Sequence, residues 1–267
     1  MNDPLLLRAV GMHQAGDLSS AVRLYGEYLR LHPRQFQALY MLGFAFFQGG
    51  QLDDAREALT SAVEVNPQSP DAFYMLGSVM QHQGRLPEAL ACFDRTLALR
   101  PGLTDALIDK SAILLALQRP TDALAAADKA VALAPQSAGA WSNKGCALQR
   151  LNRPGEAVEA LDKAYTLEPE RADSLINRGA ALFDGKRYEE AARDYRMAHA
   201  RNSKWPYLKG NLVLYQLHCC DWRDLPQYRD EIEADVTAGE PTVLPLVHAM
   251  LSHSLPSLLR SARIHAR

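Results

Sequence analysis

Five prolines, Pro33, Pro67, Pro101, Pro135 and Pro169, stand 34 residues apart. A fixed spacing of this size constrains the fold before any local propensity does, because each interval must hold one supersecondary unit. Placing each proline at position 32 divides the chain into units 2–35, 36–69, 70–103, 104–137, 138–171 and 172–205. Position 8 is then small throughout: Ala9, Gly43, Gly77, Ser111, Gly145 and Gly179. Position 20 is alanine in every unit, from Ala21 to Ala191. Position 24 is mostly bulky: Tyr25, Leu59, Phe93, Ala127, Leu161 and Tyr195. Position 4 supplies Leu5, Leu39, Phe73, Leu107, Trp141 and Leu175.

Two antiparallel helices per unit explain this pattern. Small residues at positions 8 and 20 let the backbones approach, and bulky ones at 4, 7, 11 and 24 fill the space around them. Hydrophobic residues make up 48% of the chain, which excludes disorder, and Leu and Ala outnumber Val and Ile, which favours helices over a sheet. Gly16, Gly50 and Gly84 suit the turn between the two helices. The recurring proline stops the second helix before the next unit begins.

These residues resemble the tetratricopeptide repeat (TPR), a helix-turn-helix unit of this length. The resemblance covers residues 2–205. It implies an all-α fold, a right-handed α-α superhelix in which the first helix of each unit, helix A, lines an inner groove. Arg8 replaces the usual leucine of the first unit, Lys110-Ser111 replaces a Leu-Gly pair in the fourth, and Ser203 replaces proline in the sixth. The phase continues past 205. Residues 206–239 read as a seventh, degenerate repeat, with helix A from Pro206 to Cys219 and Leu225, Tyr228, Ile232 and Val236 on one face of its helix B. Residues 240–267 read as a C-terminal segment in which Pro245 interrupts order, followed by a short amphipathic helix carrying Leu255, Leu258, Leu259 and Ala262.

In the TPR family, positions 2, 5, 6, 9, 12 and 13 of helix A are the usual ligand contacts. Position 6 here reads Leu7, Met41, Met75, Asp109, Asn143, Asn177 and Asn211. An asparagine carries both donors and an acceptor, so a column of them can bond an extended peptide's backbone without reading its side chains. Tyr40, Met41, Phe44, Tyr74 and Met75 make the other end apolar and adaptable. The expected partner is a protein or extended peptide. An unsealed C-terminal helix pair would favour a homodimer.

The asparagine column, Cys220-Asp221-Trp222-Arg223-Asp224, the acidic run Arg229-Asp230-Glu231-Ile232-Glu233, Pro241-Thr242-Val243 and Leu259-Arg260-Ser261-Ala262 together resemble the TPR half of O-linked N-acetylglucosamine transferases and their bacterial relatives. In that family an asparagine ladder holds acceptor polypeptide. The resemblance makes Asn143, Asn177 and Asn211 the ladder and Asp109 its extension, while Met41 and Met75 depart from it. The family's catalytic half binds a sugar nucleotide on two Rossmann-like lobes. No part of that half is recognisable before Arg267, and no Gly-rich phosphate loop occurs. A chain of this kind is expected to be a polypeptide-binding scaffold, or the acceptor-binding half of such a transferase.

Other classes fit poorly. A net charge of −2 supplies no field for nucleic acid. The longest apolar runs, such as Ala112–Leu117, are too short to cross a bilayer, and Met1-Asn2-Asp3-Pro4 is acidic where a signal peptide is basic, so a cytoplasmic protein is expected. Cys92, Cys146, Cys219 and Cys220 suggest no disulfide framework. His218-Cys219-Cys220 lacks a second ligand pair and reads as ordinary helix, and His248 and His253 read as surface residues of an irregular segment. The Lys and Asn clamp that chaperone-binding TPR domains place at positions 5 and 9 is missing from those positions. No nucleophile–base pair, metal set or cofactor site emerges, so no catalytic residue is assigned.

Overall fold

The computed structural model describes residues 3–201, 207–252 and 255–266. Ser203, Pro206 and His253 lie outside the described residues, as do Met1, Asn2 and Arg267. The described residues form sixteen α-helices and no strand. They divide into two compact units, 1–133 and 134–267.

The first unit holds four antiparallel pairs: α1 (Pro4–Gln14) with α2 (Leu18–Leu31), α3 (Phe36–Gln48) with α4 (Leu52–Val65), α5 (Pro70–His82) with α6 (Leu86–Leu99), and α7 (Thr104–Ala116) with α8 (Pro120–Leu133). The second holds α9 (Ala138–Arg150) with α10 (Pro154–Leu167), α11 (Ala172–Asp184) with α12 (Tyr188–Arg201), α13 (Leu208–His218) with α14 (Leu225–Ala238), and α15 (Pro245–Leu251) with α16 (Leu255–His265). Within each unit a pair also packs on the next, through its second helix.

The periodic prolines act one residue upstream. His32, Asn66, Arg100 and Glu168 each close a helix at φ between −137° and −131°, because a following proline ring crowds the helical conformation. The next helix is then capped where the sequence allows: Gln35, Ser69 and Ser137 accept from Ala38 N, Ala72 N and Ala140 N.

The turn inside each pair has a left-handed residue at position 15. Gly16, Gly50 and Gly84 hold it at φ 72–79°, and Gln118, Asn152, Lys186 and Cys220 hold it at φ 53–62°. The four later residues accept a conformation that costs an L side chain about 1 kcal/mol. Lys186→Gly is therefore expected to raise stability by about 0.5–1 kcal/mol, and Gly50→Ala to lower it by a similar amount. Urea midpoints of the two variants, shifted in opposite directions, would check this.

The core is built on the pairing of positions 8 and 24. A Cβ on Gly43, Gly77 or Gly179 would fall 2.5, 2.9 and 2.6 Å from Leu59, Phe93 and Tyr195, and one on Gly145 would collide with Leu161. Where position 24 shrinks to Ala127, position 8 grows to Ser111, whose hydroxyl donates to the Ile108 carbonyl at 2.7 Å. The two positions share one volume.

Position 7 departs from the sequence expectation of a bulky apolar filler. Lys110 reaches Asp94 at 2.6 Å, and Arg178 reaches Asp162 at 3.0 Å, each sixteen residues upstream. Arg178 also forks onto Asp194, Nε–Oδ2 and Nη2–Oδ1 both 2.7 Å, and lies 4.4 Å over the Tyr165 ring. The Lys110–Asp94 and Arg178–Asp162 pairs join neighbouring repeats through charge, and Arg178–Asp194 ties the two helices of one repeat.

The C-terminal segment is more ordered than the sequence reading implied. Pro245 does not interrupt a helix; it opens α15 at the position where its fixed φ is preformed and its missing donor is not needed. In α16 Ser261 is buried while Leu259 and Ala262 are exposed, so the helix is turned away from its leucine count.

Candidate functional site

In the first unit, α3, α5 and α7 bring Tyr40, Met41, Phe44, Tyr74, Met75 and Asp109 to the surface, each partly buried. Met41 packs on the core cluster around Tyr25, and Tyr40 and Met75 on the cluster around Leu59 and Leu76. Packing between helices therefore takes part of each of these side chains and leaves part exposed. The Tyr74 hydroxyl donates to Asp109 Oδ2 at 2.8 Å. Burial pushes the Asp109 carboxyl above the usual carboxylate range, while the Tyr74 bond pulls the other way. Burial and the neighbouring carboxylate push the Tyr74 hydroxyl up.

In the second unit, α9, α11 and α13 carry Asn143, Asn177 and Asn211, again partly buried. One Nδ2–H of Asn177 donates to Ser142 Oγ at 3.3 Å. Burial pushes the Tyr195 hydroxyl up, and Tyr215 and Asn211 act on it in the other direction. The Asn177 amide is thus anchored from within the protein.

The contacts follow one rule. Tyr74 to Asp109 and Ser142 to Asn177 both link position 5 of one helix A to position 6 of the next, a spacing of 35 residues. Positions 12 and 13 repeat it: His13 meets Gln48 at 2.7 Å, Gln149 donates to Asp184 at 2.7 Å, and Phe47 and Phe183 sit edge-on to His82 and His218. Read one column at a time, the sequence did not show these pairs. Comparing position 5 with the following position 6 exposes them.

A family model for the tetratricopeptide repeat matches residues 14–64, 45–104, 74–138, 108–165 and 142–204. The chain belongs to the tetratricopeptide-repeat family. Among solved structures, this TPR chain is similar to a tetratricopeptide repeat protein from Parabacteroides merdae, at 15% identity over 98% of both chains with TM-score 0.72. It is similar to MamA at 25% identity over 62% of this chain and 96% of that one, TM-score 0.58. It is also similar to YrrB, described as a TPR protein with an unusual peptide-binding site, at 18% identity over 73% and 96%, TM-score 0.59. No curated protein matches the chain. Among the described residues no helix is long and apolar enough to cross a membrane.

Two expectations about the TPR chain's later residues change. His248 is not a surface residue. It is fully buried in α15, with Nε2 3.1 Å from Glu233 Oε1, and Ser257 donates to the other Glu233 oxygen. Ser257 Oγ also lies 3.4 Å from the same Nε2, so serine and carboxylate converge on one nitrogen and no relay through the ring exists. His218-Cys219-Cys220 is not helix interior. His218 ends α13, with its ring against Phe183 and Tyr188 and Nδ1 bonded to the Leu214 carbonyl at 2.8 Å. Cys219 and Cys220 form the turn that follows. Cys92 is buried, and burial pushes its thiol up to about 11, which makes it an unreactive packing residue.

Proposed function

We propose that this chain is a scaffold that holds an extended polypeptide along the faces of its A helices. The observation that carries the reading is the recurrence of asparagine at position 6 in α9, α11 and α13, with the Asn177 amide oriented by Ser142. A side chain already held in place loses little entropy when a ligand arrives, so its remaining acceptor and donor capacity goes into binding. With Asn143 and Asn211, three amides recurring at position 6 bond peptide backbone without regard to sequence. The A helices of the first unit offer contacts of another kind, apolar at Tyr40, Met41, Phe44, Tyr74 and Met75 and a carboxylate at Asp109. That YrrB is described as having a peptide-binding site supports a ligand of this class.

The finer reading is an acceptor-binding module of an O-GlcNAc transferase-like enzyme, acting in the cytoplasm beside a catalytic part. It is supported by the same asparagine column and by the 220–224 segment. On either reading the chemistry of the chain itself is recognition.

Replacing Asn143, Asn177 and Asn211 together with alanine tests the proposal. Each lost hydrogen bond is worth about 0.5–1.5 kcal/mol, so affinity for an unstructured polypeptide should fall at least about tenfold. Helicity should be retained. Unchanged affinity in a fully helical triple variant would remove the asparagines from the site.

A further inference from the structure

The seventh helix pair breaks the frame at its turn. In the first six pairs the second helix starts at position 17, at Leu18, Leu52, Leu86, Pro120, Pro154 and Tyr188. In the seventh that position is Trp222, but α14 starts only at Leu225, with Pro226 in its first turn. Trp222 is left in the loop with no helix to bury it and stands 58% exposed.

The loop is nevertheless fixed. Asp221 N donates to the Gln216 carbonyl at 2.9 Å and Cys220 N to the Leu217 carbonyl at 3.1 Å, closing α13 through the left-handed Cys220. Arg223 then donates twice to the Asp221 carboxylate, both at 2.9 Å, and Arg196 reaches it from α12 at 3.3 Å. Hydrogen bonds from the Arg223 guanidinium and backbone N–H, with a smaller contribution from Arg196, hold the Asp221 carboxyl down at about 2.

Across from the loop, α12 presents Glu189, Arg193 and Arg196 on one face, and the cleft between holds about 720 Å³. The lining thus carries three guanidinium groups and two carboxylates, Glu189 and Asp221, while Glu190 and Asp224 act on Arg193 and Arg223 from its edge. Arg193 is exposed and has no carboxylate within ion-pair distance among the described residues. An arginine outside any close ion pair beside an exposed tryptophan is the composition that dominates binding energy at protein interfaces. The excess positive charge selects an anionic partner.

We propose that the Trp222–Arg193 cleft is a second docking site, separate from the A-helix faces, for an acidic segment of a partner protein. Its carboxylate meets Arg193, and an adjacent apolar side chain lies on the Trp222 ring.

The test uses a random-peptide display library panned on the full chain carrying Asn143→Ala, Asn177→Ala and Asn211→Ala, so that the asparagine column no longer contributes to capture. The recovered peptides should be enriched in Asp or Glu next to aliphatic or aromatic residues. Each should lose at least about tenfold in affinity on Trp222→Ala and on Arg193→Gln, and weaken as salt rises. Both side chains are exposed, so thermal melting should stay unchanged. Peptides with the input composition, or peptides that bind both variants as tightly as the parent, would overturn the proposal. Because the bait lacks the asparagines, failure here leaves the A-helix reading untouched, and failure of that reading leaves this one standing.

Discussion

Gly145→Ala is expected to destabilise the protein by about 1–3 kcal/mol, although it adds a single carbon atom. The added Cβ collides with Leu161 Cγ, in a core where Leu161 is fully buried and has no open space to enter. The fourth repeat shows the remedy. There a serine at position 8 is accepted because position 24 is Ala127. Leu161→Ala alone should cost about 2–5 kcal/mol through the cavity it opens. The double variant Gly145→Ser, Leu161→Ala should be more stable than the sum of the single losses requires. A coupling of 1 kcal/mol or more in a urea-unfolding double-mutant cycle, as an order-of-magnitude figure, would show that the two positions share one volume. Additive losses would show that they do not.

Asp194→Ala is expected to cost about 3 kcal/mol, because it strands a charge rather than removing a contact. The Asp194 side chain is 4% exposed and that of Arg178 is 17% exposed. Both guanidinium bonds to Asp194 would be lost, and Asp162, which is 55% exposed, is a weaker partner. Exchanging both residues for apolar ones of similar size, Arg178→Met with Asp194→Leu, should cost less than Asp194→Ala alone, since no buried charge is then left without a partner. Thermal unfolding orders the three proteins. An Asp194→Ala midpoint equal to that of the parent would mean that solvent already screens the pair.

The repeat was legible because it is written in small residues. Glycine and alanine at positions 8 and 20 report close backbone approach, a constraint that no alternative side chain relieves. The charges at position 7 were not legible in the same way. Lys110 and Arg178 look like departures in a column that holds Leu42 and Leu76, and their meaning appears only against Asp94 and Asp162, sixteen residues earlier. Asn177 shows the same limit. Its column marked it as a ligand contact, but Ser142 at the preceding position 5 was needed to see how it is held.

The C-terminal segment is hard to read from sequence for a different reason. Once the 34-residue frame weakens, local signals have to stand alone, and they are ambiguous. A proline such as Pro245 stops a helix when inside it and starts one when first. His248 followed no column, so nothing in the sequence pointed to Glu233 and Ser257, which arrive from other helices. Trp222 sat in a recognisable motif, yet its exposure depends on α14 starting at Leu225, a shift of three residues that propensity does not resolve.

The central claim is that polypeptide lies along the position-6 asparagines, and their side-chain amides can report on it directly. With asparagine alone labelled with nitrogen-15, the amide resonances of Asn143, Asn177 and Asn211 should shift when an unstructured polypeptide is added. Asn66 and Asn152 lie in turns off that face and serve as internal controls. Shifts confined to the three helix asparagines are the predicted result. Shifts at Asn66 or Asn152 with Asn143, Asn177 and Asn211 unmoved would contradict the account and place the polypeptide elsewhere.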